Sequence, residues 1–108
     1  MADVKHTPGP WRVDEGGTEM GGKFSINTAS QYVAETIGGF EDGVQEANAM
    51  LIAAAPDLLE ALIAMESEKS DYMTRNYLGD PAKEHTNKMA RAAIAKATGA
   101  ARATEGSV

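Results

Sequence analysis

The sequence predicts an α+β fold. An N-terminal three-stranded antiparallel meander is covered by a helix broken at Pro56, and a C-terminal antiparallel helical hairpin follows. Three observations carry this prediction. Apolar and polar residues alternate in short runs before residue 40. From Asp42 the apolar spacing changes to threes and fours. Prolines at positions 56 and 81 then punctuate the helical part.

The first strand starts at Trp11-Arg12-Val13, behind the rigid Pro8-Gly9-Pro10 turn, and ends in Asp14-Glu15-Gly16-Gly17. Phe24-Ser25-Ile26-Asn27 forms the second, with Phe24 and Ile26 on one face. Tyr32 to Ile37 is rich in aromatic and β-branched residues and is closed by Gly38-Gly39. Asn27-Thr28-Ala29-Ser30 supplies the turn between strands two and three. Three strands with one apolar face need a cover. The next segment provides it: Val44, Ala47, Leu51 and Ala54 recur at helical spacing behind an Asp42 N-cap.

Pro56 cannot donate a backbone hydrogen bond and restricts Ala55, so a second helix is expected from Pro56 to about Tyr77. Its apolar face is Leu58, Leu59, Leu62, Ile63 and Met65. Gly79 suits a helix end, Asp80 an N-cap and Pro81 the first position of a third helix. That helix runs to about Thr98 on a seam of Met89, Ala92, Ala93 and Ala97. The expected organisation is a single domain over 1–98, with the meander in 1–40 and helices in 42–98. Residues 99–108 form a flexible tail.

Composition narrows the function classes. Phe and Tyr total five, beside one Trp, so large apolar groups are scarce in 108 residues. A domain this small gains from burying its remaining apolar stripe against a copy of itself, and a homo-oligomer is expected. The absence of cysteine excludes disulfides and thiolate metal sites. No uninterrupted apolar run approaches the length of a membrane span, and the N-terminus lacks a signal-peptide core. No membrane partner is expected. A net charge of −6 argues against direct nucleic-acid binding. Residues 1–71 hold thirteen acids and four Lys or Arg, whereas 72–108 hold three acids and six Lys or Arg. The late basic set therefore meets either an anionic ligand or the acidic part of the fold.

Local motifs for chemistry are weak. Gly17 to Lys23 satisfies G-x-x-x-x-G-K, but Phe24 stands where a phosphate loop needs Ser or Thr. A hairpin loop is the better reading. His6 and His85 lack ligand-spaced partners, so neither a metal nor another cofactor is expected. No nucleophile elbow is present, and no catalytic residues are assigned; the chain reads as a non-enzyme. Glu66, Glu68 and Asp71 read as a solvated helix face. Lys88 and Arg91 share one side of the third helix and suit a phosphate, although pairing with the second helix would equally occupy them. Tyr72, Arg75, Asn76 and Tyr77 combine two rings, a guanidinium and an amide near the hairpin tip. Such a set can stack on and hydrogen-bond a nucleotide base, with packing against the third helix as the competing account.

Two blocks, HTPGPWRV at 6–13 and EANAMLIAAAPDLLEAL at 46–62, carry a family resemblance. They resemble the small accessory proteins of tailed bacteriophages and prophages that open on HTPGPW and carry an NARLIAAAPDLLEAL helix pair. Met50 replaces the usual Arg. The resemblance covers about the first sixty residues and brings no catalytic residues. It implies a virus-encoded protein acting in the host bacterial cytoplasm. The expected function is counter-defence by sequestration of a cyclic or ADP-ribose-derived nucleotide signal in an oligomer, using Tyr72, Arg75, Asn76, Tyr77, Lys88 and Arg91. The alternative is a protein–protein inhibitor whose acidic surface blocks a nucleic-acid-binding site of a host defence complex.

Overall fold

The computed structural model describes residues 5–37 and 42–100, with the Asp42 side chain left out. The expected Asp42 cap, the Gly38-Gly39 closure and the tail beyond residue 100 lie outside the described residues. Three strands, β1 (Arg12–Glu15), β2 (Phe24–Asn27) and β3 (Tyr32–Thr36), form one antiparallel sheet in the order β1-β2-β3. Helix α1 (Asp42–Arg75), a short 3-10 turn (Pro81–Lys83) and helix α2 (His85–Thr98) follow. The α+β class and the meander are as the sequence predicts. The chain divides into two compact units, Met1–Leu58 and Leu59–Val108, and the division falls inside α1.

In the first unit, Arg12 pairs with Asn27 and Glu15 with Phe24, while Phe24 pairs with Thr36 across the next ladder. The expected turn after β2 closes through Thr28, whose amide donates to the Gln31 carbonyl at 2.8 Å. The Thr28 hydroxyl accepts from the Ser30 and Gln31 amides. Phe24, Ile26, Ala49 and Ala53 make the core, with Trp11, Val13, Val33, Ala34 and Ile52 packed on it. Ser25 on the opposite face of β2 is buried as well, and its hydroxyl donates to the Gly16 carbonyl at 3.0 Å.

The helix is not broken at Pro56. α1 runs through it for 34 residues. Proline removes one hydrogen bond and crowds the carbonyl four residues earlier, a cost of about 3 kcal/mol in a helix interior. Two observations offset this. Ala53, Ala54, Ala55 and the leucines that follow are strong helix formers, and Pro56 is itself buried. A methyl built on Gly9 would lie 3.5 Å from Pro56 Cβ, so the Pro8-Gly9-Pro10 segment packs directly on this proline. The Gly9–Pro10 peptide is cis. The alanines serve the approach of α1 to the sheet rather than a corner between two helices.

The buried face of α1 also differs from the expected one. Gln45, Ala49, Ala53 and Pro56 turn inward, whereas Val44 and Leu51 point to solvent. Phe24 and Ile26 fill the space between sheet and helix, and the fully buried apolar positions on the helical side are the small Ala49 and Ala53, with Ile52 packed at their edge.

The second unit is a hairpin with little apolar core: among its described residues only Met73 and Asn87 are buried. Asp80 caps the 3-10 turn, accepting from the Ala82 amide, and Glu84 caps α2 by accepting from the Asn87 amide. The expected single helix from Pro81 is therefore two elements. Proline suits the first turn of either kind, but the helical pattern strengthens only after Glu84. Met89, Ala92, Ala93 and Ala97 are exposed, and the inward positions of α2 are Asn87, Ala90, Ile94 and Ala95. Polar contacts join the two helices instead of the expected small-residue seam.

Candidate functional site

Tyr72 and Arg75 lie one turn apart on the last two turns of α1, and both are exposed. With Met65, Glu68, Lys69 and Asp71 they border a shallow groove of about 480 Å3. The ring of Tyr72 and the guanidinium of Arg75 thus share one surface, flanked by two carboxylates. Arg75 Nε also donates to the Asp71 carbonyl at 3.4 Å. Asn76 is turned back on the helix, its side-chain amide donating to the Tyr72 carbonyl at 2.8 Å.

Tyr77 ends α1 in an unusual way. Its φ is 53°, the left-handed region that glycine normally supplies. The Leu78 amide donates to the Met73 carbonyl at 2.9 Å, and the Tyr77 amide to Thr74 at 3.4 Å. This is the Schellman pattern with tyrosine where glycine is usual. Gly79, expected at that position, lies two residues later. The ring of Tyr77 is 94% exposed.

The basic residues of α2 divide. Lys88 is exposed. Arg91 is engaged: its Nε donates to Glu66 Oε1 at 2.6 Å and its Nη2 to the Ser70 hydroxyl at 3.2 Å. The Ser70 hydroxyl donates to the same Glu66 oxygen at 2.7 Å and accepts from the buried Asn87 side chain at 3.3 Å. The hydroxyl and guanidinium hold the Glu66 carboxyl below the usual range. A second knot joins Lys69, Glu84 and Thr86. Lys69 Nζ donates to Glu84 Oε2 at 2.8 Å and also contacts the Thr86 hydroxyl. Lys69, Thr86 and the Asn87 amide, all directed at Glu84, bring its carboxyl down to about 2. Of the six residues the sequence singles out, Tyr72 and Arg75 are brought onto one surface, and Arg91 is held in a structural pair. Sequence reasoning missed Glu66, Ser70 and Asn87, which carry that pair; only Glu66 stood out, as a solvated acid.

The G-x-x-x-x-G-K segment is the loop between β1 and β2, and it does hold an anion: the Glu35 carboxylate of β3. The amides of Glu19 and Met20 donate to Glu35 Oε1 at 3.1 and 2.8 Å, and the Gly22 amide donates to Oε2 at 2.7 Å. The Tyr32 hydroxyl donates to the same carboxylate. Burial raises the Glu35 carboxyl, but the Tyr32 hydroxyl and the three amides outweigh it, leaving the group below its ordinary value. A loop of amides around an anion is the geometry of a nest. Here the occupant comes from the chain itself.

Trp11 is anchored rather than presented. Its indole nitrogen donates to the Thr7 carbonyl at 2.9 Å, the His6 ring meets it edge-on at 6.1 Å, and its body packs on the core. The two blocks of the family resemblance therefore touch, through Gly9 and Pro56, as parts of one scaffold. A family model, Salmonella phage P22 protein Y8K6, matches residues 1–101. The chain belongs to that phage protein family. The match extends well past the first sixty residues and takes in the helical hairpin. No curated protein and no solved structure matches.

Proposed function

We propose that this member of the phage P22 Y8K6 family is a counter-defence binding protein of the host bacterial cytoplasm. It sequesters a cyclic or ADP-ribose-derived nucleotide signal without altering it. The observation that supports this reading is the shared surface of Tyr72 and Arg75 beside the groove. An exposed ring stacks on a base, and a guanidinium one turn away forks onto a phosphate. Lys88 is an exposed cation of α2 outside the groove lining, whereas Arg91 contributes to the hairpin rather than to the ligand. Calorimetric titration against a panel of cyclic nucleotides and ADP-ribose derivatives tests it. Binding that weakens at least about tenfold in Arg75→Ala is the expected result, a factor worth about 1.4 kcal/mol. No heat with any of them overturns the reading.

One observation favours a second reading. Glu68 and Asp71 line the same groove, and an acidic helical face suits a basic protein surface. An inhibitor of a nucleic-acid-binding host complex would co-purify with that complex and release it as salt rises.

A further inference from the structure

The groove beside Tyr72 has more free acceptors than free cations. Glu68 and Asp71 are exposed, and among the described residues neither carboxylate has a hydrogen-bond or ion-pair partner. Of the two cations in its lining, Lys69 is engaged with Glu84 at 2.8 Å. Arg75 makes one hydrogen bond, from Nε to the Asp71 carbonyl at 3.4 Å, and its two Nη groups stay open. Met65 and the Tyr72 ring supply the apolar surface. Helical spacing orders these groups. Glu68, Tyr72 and Arg75 stand at i, i+4 and i+7, so they follow one another along a single face of the helix. Glu68 and Arg75 are two turns apart, about 10 Å along the axis. The ring lies between an acceptor at one end and a guanidinium fork at the other.

We infer that the groove takes a nucleoside diphosphate with a free ribose 2′,3′-diol, the ADP-ribose class, and that Glu68 is the residue that selects it. This rests on the nucleotide-binding reading above and narrows it. An ionised carboxylate only accepts hydrogen bonds, so Glu68 needs O–H or N–H donors from its ligand. A vicinal diol supplies two side by side, matching the two oxygens of one carboxylate. An acidic side chain on a ribose hydroxyl also holds the adenosine in dinucleotide-binding sheets. The 5′-diphosphate leaves the furanose on the side away from the diol. Its charges are adjacent, so the single fork of Arg75 meets them. Base or sugar then lies over the ring of Tyr72. Asp71 adds negative charge between the two ends, so a phosphate is favoured only at Arg75.

A 3′,5′-cyclic nucleotide fits these groups less well. Ring closure esterifies the 3′ oxygen, which removes the diol and sets a phosphate beside the remaining 2′-hydroxyl. A ligand that offers that hydroxyl to Glu68 brings the phosphate to the same carboxylate, and like charges repel. A cyclic dinucleotide also carries its two phosphates apart from each other and needs a cation for each. The groove lining has one cation free, because Lys69 is held by Glu84.

Calorimetric titration of the full chain with ADP-ribose and with cyclic di-AMP reads the selection. ADP-ribose should bind at least about tenfold more tightly. Glu68→Gln should move the two ligands in opposite directions. ADP-ribose should weaken by about fivefold or more, because a charged acceptor is lost. Cyclic di-AMP should tighten, because a negative charge is removed. Circular dichroism should be unchanged, since Glu68 is exposed and unpartnered among the described residues. A carboxylate that acts only as a neighbouring charge would, when neutralised, let both ligands bind more tightly. That result overturns the inference and leaves the nucleotide-binding reading standing. Cyclic di-AMP bound as tightly as ADP-ribose by the unaltered chain does the same. No heat from ADP-ribose, while another nucleotide of the panel binds, also overturns the inference alone. Silence from every nucleotide overturns both.

Discussion

Arg91 and Glu66, 25 residues apart in sequence, meet at 2.6 Å between the guanidinium Nε and a carboxylate oxygen. The pair decides what α2 is for. A cation free to meet a phosphate would leave α1 and α2 joined by little more than Met73, Asn87 and the Lys69–Glu84 contact. Engaged as it is, Arg91 supplies the hairpin with a tie that its alanine-rich face cannot. A double-mutant cycle of Arg91→Ala and Glu66→Gln should give a coupling of about 0.5–1 kcal/mol in urea unfolding, the range for a partly exposed pair. Arg91→Ala should change ligand affinity much less than Arg75→Ala does.

The cap of α2 makes the hairpin sensitive to acid. The Glu84 carboxyl sits at about 2, below its ordinary 4.5, because Lys69, Thr86 and the Asn87 amide all address it. A carboxyl lowered on folding contributes stability that is complete above its unfolded value and is lost as pH falls through the folded one. The melting temperature should therefore fall between about pH 4.5 and pH 2 and stay level just above that window as far as this group is concerned. A carboxyl-carbon NMR titration should place the Glu84 midpoint at about 2. In Lys69→Met its midpoint should rise.

Sequence reading recovered the elements better than their faces. The strands were legible because alternation over Phe24 to Asn27 and Tyr32 to Thr36 is a direct record of a half-buried sheet. The inward face of α1 was not. A search for large apolar residues finds Val44 and Leu51, whereas the sheet accepts Ala49 and Ala53. The row taken for the core is the one left exposed. Pro56 misled for a related reason: local rules register the lost hydrogen bond, but not the packing of a distant Gly9 on the ring. The polar tie through Glu66, Ser70, Asn87 and Arg91 has no local signature at all. On the candidate site, the nearness of Tyr72 and Arg75 could be read from helical spacing, and pairing with the second helix was one of the two readings open for Arg91, the one that its contact with Glu66 bears out.

Tyr77 pays a backbone penalty at the end of α1. A side chain in the left-handed region costs about 1–2 kcal/mol relative to glycine, and this ring recovers little because it is 94% exposed. Tyr77→Gly should raise stability by about 1 kcal/mol in urea unfolding. Tyr77→Ala should not, since alanine keeps the Cβ that creates the cost. If the ring takes part in nucleotide stacking, the stabilised glycine variant should bind more weakly, which separates the two roles of the position.

Tyr32 reports on the loop that holds Glu35. Burial, then the hydrogen bond to Glu35 and its negative charge, push the phenol up to about 12. Absorbance near the tyrosinate band should show one of the three tyrosines titrating at about 12. In Glu35→Gln that midpoint should fall toward the ordinary 10 without reaching it, because burial remains while the charge is removed. Unchanged titration in that variant would mean that the carboxylate does not accept from this hydroxyl in solution.

Gly22 is the position at which this loop tolerates least. A Cβ there would stand 2.3 Å from the Thr36 carbonyl oxygen and 2.6 Å from Glu35 Oε2. The first is backbone of β3, in a sheet whose Thr36 pairs with Phe24, so it cannot withdraw without opening the ladder. The second is the carboxylate that the Gly22 amide itself binds at 2.7 Å. Gly22→Ala therefore costs both the approach and the bond, about 1–3 kcal/mol for an overpacked contact. Gly21→Ala is the matched control, because its Cβ would meet nothing within 4 Å and only its φ of 83° is strained. Gly22→Ala should be the more destabilised of the two in thermal unfolding. It alone should lower the Tyr32 midpoint, since it moves Glu35 away from the phenol as well as from the loop.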